Sequence, residues 1–131
     1  MSTVDNTTRE LLERAYSAFN ARDIDSALAT MHTDVAWPNG MEGGYVHGHE
    51  EVRAYWTRQW QLLVPHVEPL KFAAGPSGRV IVEVHQVVRN VKGQLLMDRI
   101  VQHVYLIEVG RIRTMEIRDG GRLGTSDPAS G

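Results

Sequence analysis

The order of helical and strand patterns predicts an α+β protein, in which a cone-shaped, curved antiparallel sheet is covered by three N-terminal helices. Apolar residues recur at helical spacing as far as Leu63, and from Val67 onward the period falls to two. One short strand, around Val35, interrupts the helical part. Because helices and strands are segregated along the chain, we expect the helices to cover one face of the sheet.

Three segments carry the helical pattern. Thr7 is the predicted N-cap of the first helix, because a glutamate follows three residues later as in a capping box, and this helix is expected to end near Ala21. Asp23 is predicted to cap a short second helix. The third helix is predicted over residues 49–63, with Pro65 ending it.

The second half of the chain has the alternating pattern of a long meander, with glycine in each turn. The strands are predicted at Val67–Ala74, Arg79–Asn90, Leu95–Val109 and Arg111–Arg118. Before them, Asp34–Trp37 is a short predicted strand that runs into a turn-rich region. We expect one domain over residues 8–119, with flexible termini at 1–7 and 120–131, because the C-terminal segment is rich in Gly, Ser and Pro.

One polar residue interrupts an apolar row of the strand before the last turn. The row consists of Val101, His103, Tyr105 and Ile107. Alternate side chains of a strand point to the same face, so this row should face the core. A buried histidine must find a partner or line a cavity, and we interpret His103 as lining a cavity. Gln86 interrupts a row of valines on the preceding strand, so we expect it to contact and orient His103.

Aromatic side chains are expected to surround this cavity. The chain has three tryptophans in 131 residues, and Trp56 and Trp60 share one face of the third helix. Aromatic residues also fill ordinary cores, so cavity wall and core remain alternatives. An aromatic wall suits a flat or apolar ligand. The residues predicted to bind it are Tyr16, Trp37, Asn39, Tyr55, Trp56, Trp60, Gln86, Tyr105 and Met115.

Composition and charge exclude several classes of function. There is no cysteine and the net charge is −2, so we expect neither thiolate catalysis nor a nucleic-acid surface. No apolar run approaches the roughly 20 residues of a membrane helix, and a soluble cytoplasmic protein is expected. His47 and His49 have a metal-like spacing, but no third ligand follows at a diagnostic distance. We therefore predict no metal and, without a glycine-rich phosphate loop, no cofactor.

Four segments, in this order, resemble the nuclear transport factor 2-like superfamily in its SnoaL-like and ketosteroid-isomerase-like branch. They are Tyr16–Asp23, Met31–Trp37, Gly48–Trp56 and the hairpin around Gly110–Ile112. The resemblance covers residues 8–119 and implies a conical pocket between helices and sheet, often in a dimer. A homodimer through the outer sheet face is expected, because that face carries a half-apolar row, namely Ile81, Glu83, His85, Val87 and Arg89.

The resemblance also implies roles for single residues. Steroid isomerases carry an aspartate base where this chain has Trp37-Pro38-Asn39, and a tyrosine donor where it has Ala15, one place before Tyr16. Their second acidic donor corresponds to His103. Polyketide cyclases carry an acid/base aspartate on the last strand, and this corresponds to Asp119, nine residues after the turn glycine.

These positions lead to a functional hypothesis. We expect an enzyme of the isomerase, cyclase or dehydratase type, which performs acid/base chemistry on a small, largely apolar organic substrate. His103 and Asp119 are the predicted catalytic residues: His103 polarises or protonates a substrate oxygen, and its partner is Asp119 or a water bound to Asn39. The alternatives are a non-catalytic ligand-binding module and a dimeric assembly domain with a filled core.

Overall fold

A computed structural model of the chain describes residues 4–119, with side chains as far as residue 118. Within these residues the α-helices are α1 (Asn6–Asn20), α2 (Ile24–Ala29) and α3 (Gly48–Leu62). The strands are β1 (Met31–Pro38), β2 (Tyr45–His47), β3 (Leu63–Ala74), β4 (Val80–Asn90), β5 (Leu95–Glu108) and β6 (Arg111–Asp119). None of the described helices combines the length and the apolar character needed to cross a membrane. The C-terminal segment predicted to be flexible lies outside the described residues.

The strands form one curved, open sheet in the order β2-β1-β6-β5-β4-β3. The α+β fold with helices before the meander is confirmed, but the sheet is mixed rather than wholly antiparallel. β1 runs parallel to β6, whereas the other neighbouring strands are antiparallel. Antiparallel neighbours can be joined by tight turns, but β1 and β6 are separated by most of the chain, so no hairpin fixes their direction.

The curvature of the sheet follows interruptions of its strand register. Register shifts lie between Pro69 and Lys71 on β3, between Val88 and Arg89 on β4, and after Leu106 on β5. An extra residue in one strand bends it and increases its twist. The successive shifts therefore curl the sheet around the helices and create its concave face.

The core lies between this concave face and the helices. On the sheet side, Val82 and Val84 of β4 are fully buried, as is Ile112 of β6. On the helix side, Leu12 of α1 and Val52 of α3 are equally inaccessible. Because the apolar positions of each element fall on one face, the core forms from one stripe of each helix and one row of each strand.

The predicted start of α1 differs from the structure. The carboxylate of Asp5 accepts a hydrogen bond from the Thr8 backbone N–H at 2.7 Å and caps α1, so Thr7 lies inside the helix rather than before it. A carboxylate is as good an N-cap as a hydroxyl, and it satisfies one of the otherwise unpaired N–H groups. Asp23 caps α2 as predicted, through the Ser26 backbone N–H.

The junction between α3 and β3 also differs. The helix passes directly into the strand at Leu63, so the strand begins before Pro65 instead of after it. β3 is the last strand of the sheet, and an edge strand tolerates a proline because the missing N–H falls where no ladder bond is needed. The short strand β2 pairs with β1 in the region predicted to consist of turns.

Candidate small-molecule site

A cavity lies between the helices and the concave face of the sheet. Its volume is about 100 Å³, of the same order as the ~150 Å³ engineered cavity that admits benzene. Polar residues in its wall are Tyr16, Tyr55, Gln59, Gln86, His103 and Tyr105. The rest of the wall is apolar or aromatic, and Ile117, which is 43% exposed, lies at its mouth. No Asp, Glu, Lys or Arg lines the cavity in the described part of the chain.

A hydrogen-bonded chain of three buried side chains forms the polar part of the sheet wall. Tyr105 donates its hydroxyl proton to the oxygen of Tyr16 at 2.8 Å, and the Tyr16 hydroxyl lies 2.8 Å from His103 Nδ1. The Tyr16 and His103 rings are nearly parallel, with 14° between their planes, and Tyr105 meets Tyr16 edge-on. His103 and Tyr105 share one face because they are two residues apart on β5, and α1 brings Tyr16 to them.

The hydrogen bonds from Tyr105 to Tyr16 and from Tyr16 to His103 determine which nitrogen of His103 carries the proton. Because the Tyr16 oxygen accepts from Tyr105, its own proton is available for His103 Nδ1. A ring that accepts at Nδ1 carries its proton on Nε2. The other tautomer would reverse the relay, with Tyr16 donating to Tyr105, and would leave both the Tyr105 proton and the Nε2 lone pair unpaired; each unpaired buried group costs about 1–3 kcal/mol. Nε2 has no hydrogen-bond partner among the described residues, so His103 holds a buried, unpaired N–H donor.

Burial keeps all three groups uncharged at neutral pH. Loss of hydration lowers the pKa of His103 to about 3, because a buried imidazole resists protonation. Burial also raises the pKa of both Tyr16 and Tyr105, and the neighbouring phenol of Tyr105 raises the pKa of Tyr16 further. The site therefore presents a neutral donor inside an uncharged cavity.

A second polar group lies on the α3 side of the cavity. The Tyr55 oxygen accepts from the Gly40 backbone N–H at 2.9 Å and from the Gln59 amide at 3.1 Å. Gln59 Oε1 is buried and has no partner among the described residues. Turning the amide over would pair Oε1 with the Tyr55 hydroxyl and leave the NH₂ group unpaired instead. One end of the amide is thus unpaired in either orientation.

Trp56 is the centre of the aromatic wall. It is 1% exposed, and its ring centroid lies 5.6 Å from that of Trp37 and 5.4 Å from that of Phe19, both in edge-on contacts. On its other side it stacks on Trp60 at 5.5 Å. Trp60 lies outside the cavity wall, contrary to prediction, under the guanidinium of Arg22, 5.0 Å away. It supports the wall through Trp56 rather than forming it.

The structure brings most of the predicted ligand-binding residues to this cavity. Those that line it are Tyr16, Trp37, Tyr55, Trp56, Gln86, His103, Tyr105 and Met115. Asn39 does not, because its side chain closes the following turn. Its oxygen accepts from the backbone N–H groups of Met41 and Glu42, and its NH₂ group donates to the Glu42 carboxylate.

The expectation that Gln86 orients His103 is wrong. The register pairs His103 with Val82 and Gln86 with Arg99. Val82 and Gln86 are four positions apart on β4, or about 13 Å along the strand. Tyr16 takes the orienting place instead. Alternation along a strand assigned Gln86 to the correct face, since it lines the cavity, but alternation contains no information on strand register.

Asp119 is the last residue of β6, at the register position opposite Val101. Its side chain lies outside the described part of the structure, so its predicted catalytic role remains a prediction. Eight cavity residues are missing from the predicted site, namely Ala15, Phe19, Met31, Pro38, Gly40, Gln59, Val67 and Ile117. Gln59 had a signal in the sequence, because it is a polar residue within the apolar stripe of the third helix. Phe19 had none that distinguishes it from a core residue.

The fold and the cavity are those of a small-molecule-binding α+β cone. The chain belongs to the SnoaL-like domain family, whose sequence profile matches residues 12–115. This confirms the resemblance described above. Among curated proteins, none matches the sequence.

Solved structures of similar fold cover nearly the whole chain. An NTF2-like protein of unknown function from Burkholderia pseudomallei K96243 is 28% identical, with a TM-score of 0.76, over 88% of this chain and 92% of its own. TerC, co-crystallised with polyporic acid, is 25% identical, with the same TM-score and coverage. A candidate polyketide cyclase from Pseudomonas putida KT2440 is 19% identical, with a TM-score of 0.74, over 91% and 94% of the two chains.

Proposed function

We propose that this protein is an enzyme that moves a proton on a small, neutral, aromatic carbonyl compound, in a reaction of the isomerase, cyclase or dehydratase type. One observation carries the proposal: His103 lines the cavity as a neutral ring, held at Nδ1 by Tyr16 and unpaired at Nε2 among the described residues. A buried unpaired donor is costly, and a ligand oxygen would satisfy it.

The wall of the cavity supports the choice of substrate. A charged ligand would find no counter-charge among the described lining residues and would lose its hydration on entry. Aromatic rings such as Trp37 and Trp56 favour a flat ligand through edge and face contacts. Nε2 is shielded from solvent, so the proposed contact requires the neighbouring side chains to move.

The proposed reaction begins with the loss of a proton from the carbon beside the carbonyl. The C–H electron pair moves towards the carbonyl oxygen, where His103 Nε2–H stabilises the developing negative charge. His103 acts as a donor rather than as the base, because burial lowers its pKa to about 3. If a proton passed from Tyr105 through Tyr16 to His103, Tyr105 would become a phenolate. Burial raises the pKa of Tyr105 and so opposes this charge. Tyr16 and Tyr105 therefore hold the His103 ring in place and do not relay protons.

Asp119 is the proposed base that receives the substrate proton and returns it to a different carbon or to the leaving group. Its backbone position supports this role, because it lies opposite Val101, which is two residues before His103 on the buried row of β5. A carboxylate can accept a proton and give it back, as the base of such a reaction must.

A second candidate function is ligand binding without catalysis. It is favoured by a specific observation, namely that no carboxylate lines the cavity in the described residues. In that case His103 would serve only to hold a ligand oxygen, and Asp119 would have no chemical role.

Enolisation of simple aromatic ketones tests the proposal. Acetophenone and 2-acetylnaphthalene are incubated with the protein in D₂O, and exchange of their methyl protons is followed by NMR. We expect the wild type to accelerate exchange, and His103→Phe to reduce the acceleration by roughly 10²–10³-fold, as for the loss of one donor to an oxyanion. Asp119→Asn, which removes the proposed base, should abolish the acceleration of exchange. His47→Phe is the matched control, because His47 is exposed and its side chain makes no capping bond.

Binding is measured in parallel by tryptophan fluorescence, with the same ketones and with polyporic acid, the compound co-crystallised with the similar protein TerC. Binding that depends on His103 without any acceleration of exchange would support the second candidate function. Acceleration that survives His103→Phe would contradict the proposed role of this residue, and the absence of both binding and exchange would contradict both functions.

We also infer a homodimer through the outer sheet face. Ile81 and Val87, on the outer row of β4, support it because they are apolar and only half-buried by their own chain. Light scattering should show that Val87→Glu is a monomer. The control Val91→Glu, in the exposed β4–β5 turn, should remain a dimer like the wild type. A wild-type monomer would refute the dimer.

A further inference from the structure

Unpaired buried polar atoms are concentrated at the cavity. Among the described residues, the buried side-chain atoms without a hydrogen-bond partner are Gln59 Oε1, Trp60 Nε1 and His103 Nε2. Gln59 and His103 both line the cavity. Buried polar groups in folded proteins are nearly always paired, so two exceptions among the residues that line one cavity point to a ligand that satisfies both.

The two atoms belong to different walls. His103 lies on β5, in the sheet, whereas Gln59 lies on α3, which packs on the other side of the cavity. The Gln59 amide is also held in place, because it donates to Tyr55, whose oxygen is fixed in turn by the Gly40 backbone N–H. A polar group that is positioned in this way discriminates between ligands, because a ligand without a matching group leaves it unpaired.

We infer that Gln59 is a specificity-determining residue, which selects carbonyl ligands that carry a hydroxyl group at the end remote from His103. Either orientation of the amide leaves one end unpaired, an acceptor in one case and a donor in the other. A hydroxyl can donate and accept, so it satisfies both, whereas a hydrocarbon edge satisfies neither. The inference rests on the proposed function for its carbonyl end and adds the chemistry of the opposite end.

The sequence of α3 supports this role. Gln59 shares the buried face of the helix with Tyr55 and Trp56, one turn away, and is itself half-buried. Gln61, two positions further, has the same side chain but lies on the exposed face. The helix thus offers a matched pair of glutamines, one in the cavity wall and one outside it.

The experiment compares two pairs of ligands that differ only in the remote hydroxyl. They are 4′-hydroxyacetophenone with acetophenone, and 6-hydroxy-2-acetylnaphthalene with 2-acetylnaphthalene, so that two spans are covered. Dissociation constants are measured by calorimetry for the wild type, Gln59→Met and Gln61→Met. Methionine keeps the length and helical preference of glutamine but removes both ends of the amide.

In at least one pair, we expect the wild type to bind the hydroxylated member roughly 3–10-fold more tightly, the effect of one neutral hydrogen bond. Gln59→Met should reduce this ratio to about one, and Gln61→Met should preserve it. A merely structural role, through the bond to Tyr55, would instead weaken both members of a pair equally and leave the ratio unchanged.

Failure of the inference and failure of the proposed function have different signatures. Ketones that bind in a His103-dependent way, but with no preference for the hydroxyl in either pair, overturn the inference alone. A preference that survives Gln59→Met also overturns it. If none of the ligands binds to the wild type, both the proposed function and the inference are overturned.

Discussion

Replacement of Tyr16 by phenylalanine tests the hydrogen-bonded chain that organises the cavity. Tyr16 is its middle member, because its oxygen accepts from Tyr105 and its proton is directed at His103 Nδ1, both at 2.8 Å. Tyr16→Phe therefore leaves two buried groups without partners, the hydroxyl of Tyr105 and the Nδ1 of His103. At about 1–3 kcal/mol for each unpaired group, the free energy of unfolding should fall by about 2–6 kcal/mol.

Tyr105→Phe gives the contrasting case, because Tyr105 is the end of the chain. Its loss leaves no buried proton unpaired, since Tyr16 still donates to His103, and only one hydrogen bond is removed. The expected cost is about 0.5–1.5 kcal/mol. In the double variant the unpaired Tyr105 hydroxyl is gone as well, so its cost should be smaller than the sum of the two single costs.

Equilibrium unfolding in urea at pH 7, followed by circular dichroism, measures these differences. Tyr45→Phe is the control, because Tyr45 is 48% exposed and should change stability by less than about 0.5 kcal/mol. Equal losses for Tyr16→Phe and Tyr105→Phe, or strictly additive losses in the double variant, would refute the directional chain.

Two further predictions concern pH and the start of α1. In the unfolded protein His103 has its ordinary pKa of 6.5, whereas in the folded protein its pKa is about 3. Between these two pH values only the unfolded protein takes up this proton. His103 therefore lowers the free energy of unfolding by about 1.4 kcal/mol for each unit that the pH falls. Between pH 6.5 and 4, the free energy of unfolding measured in urea should therefore decline less steeply for His103→Phe than for the wild type. Parallel declines in the two proteins would contradict a buried, neutral His103. At the helix start, Asp5→Ala should lower the temperature of thermal unfolding more than Thr7→Ala does, because the Asp5 carboxylate accepts from the Thr8 N–H and caps the helix. A larger decrease for Thr7→Ala would identify Thr7 as the cap instead.

The sequence by itself determined the fold class and the cavity-facing rows. The change of hydrophobic period from 3.6 to 2 separated helices from strands, and alternation along β5 assigned His103 and Tyr105 to the buried face, where they are 4% and 1% exposed. These features depend on local geometry, which repeats every few residues and is therefore legible in one chain.

Only the tertiary structure decided which of these residues meet. Strand register separates Gln86 from His103, and the packing of α1 brings in Tyr16, 87 residues away in the sequence, as the hydrogen-bond partner of His103. The direction of β1 beside β6 and the unpaired end of the Gln59 amide are likewise products of long-range packing. Alternation fixes the face of a residue but not its neighbour across the sheet or the cavity, because that neighbour depends on how separately formed elements dock.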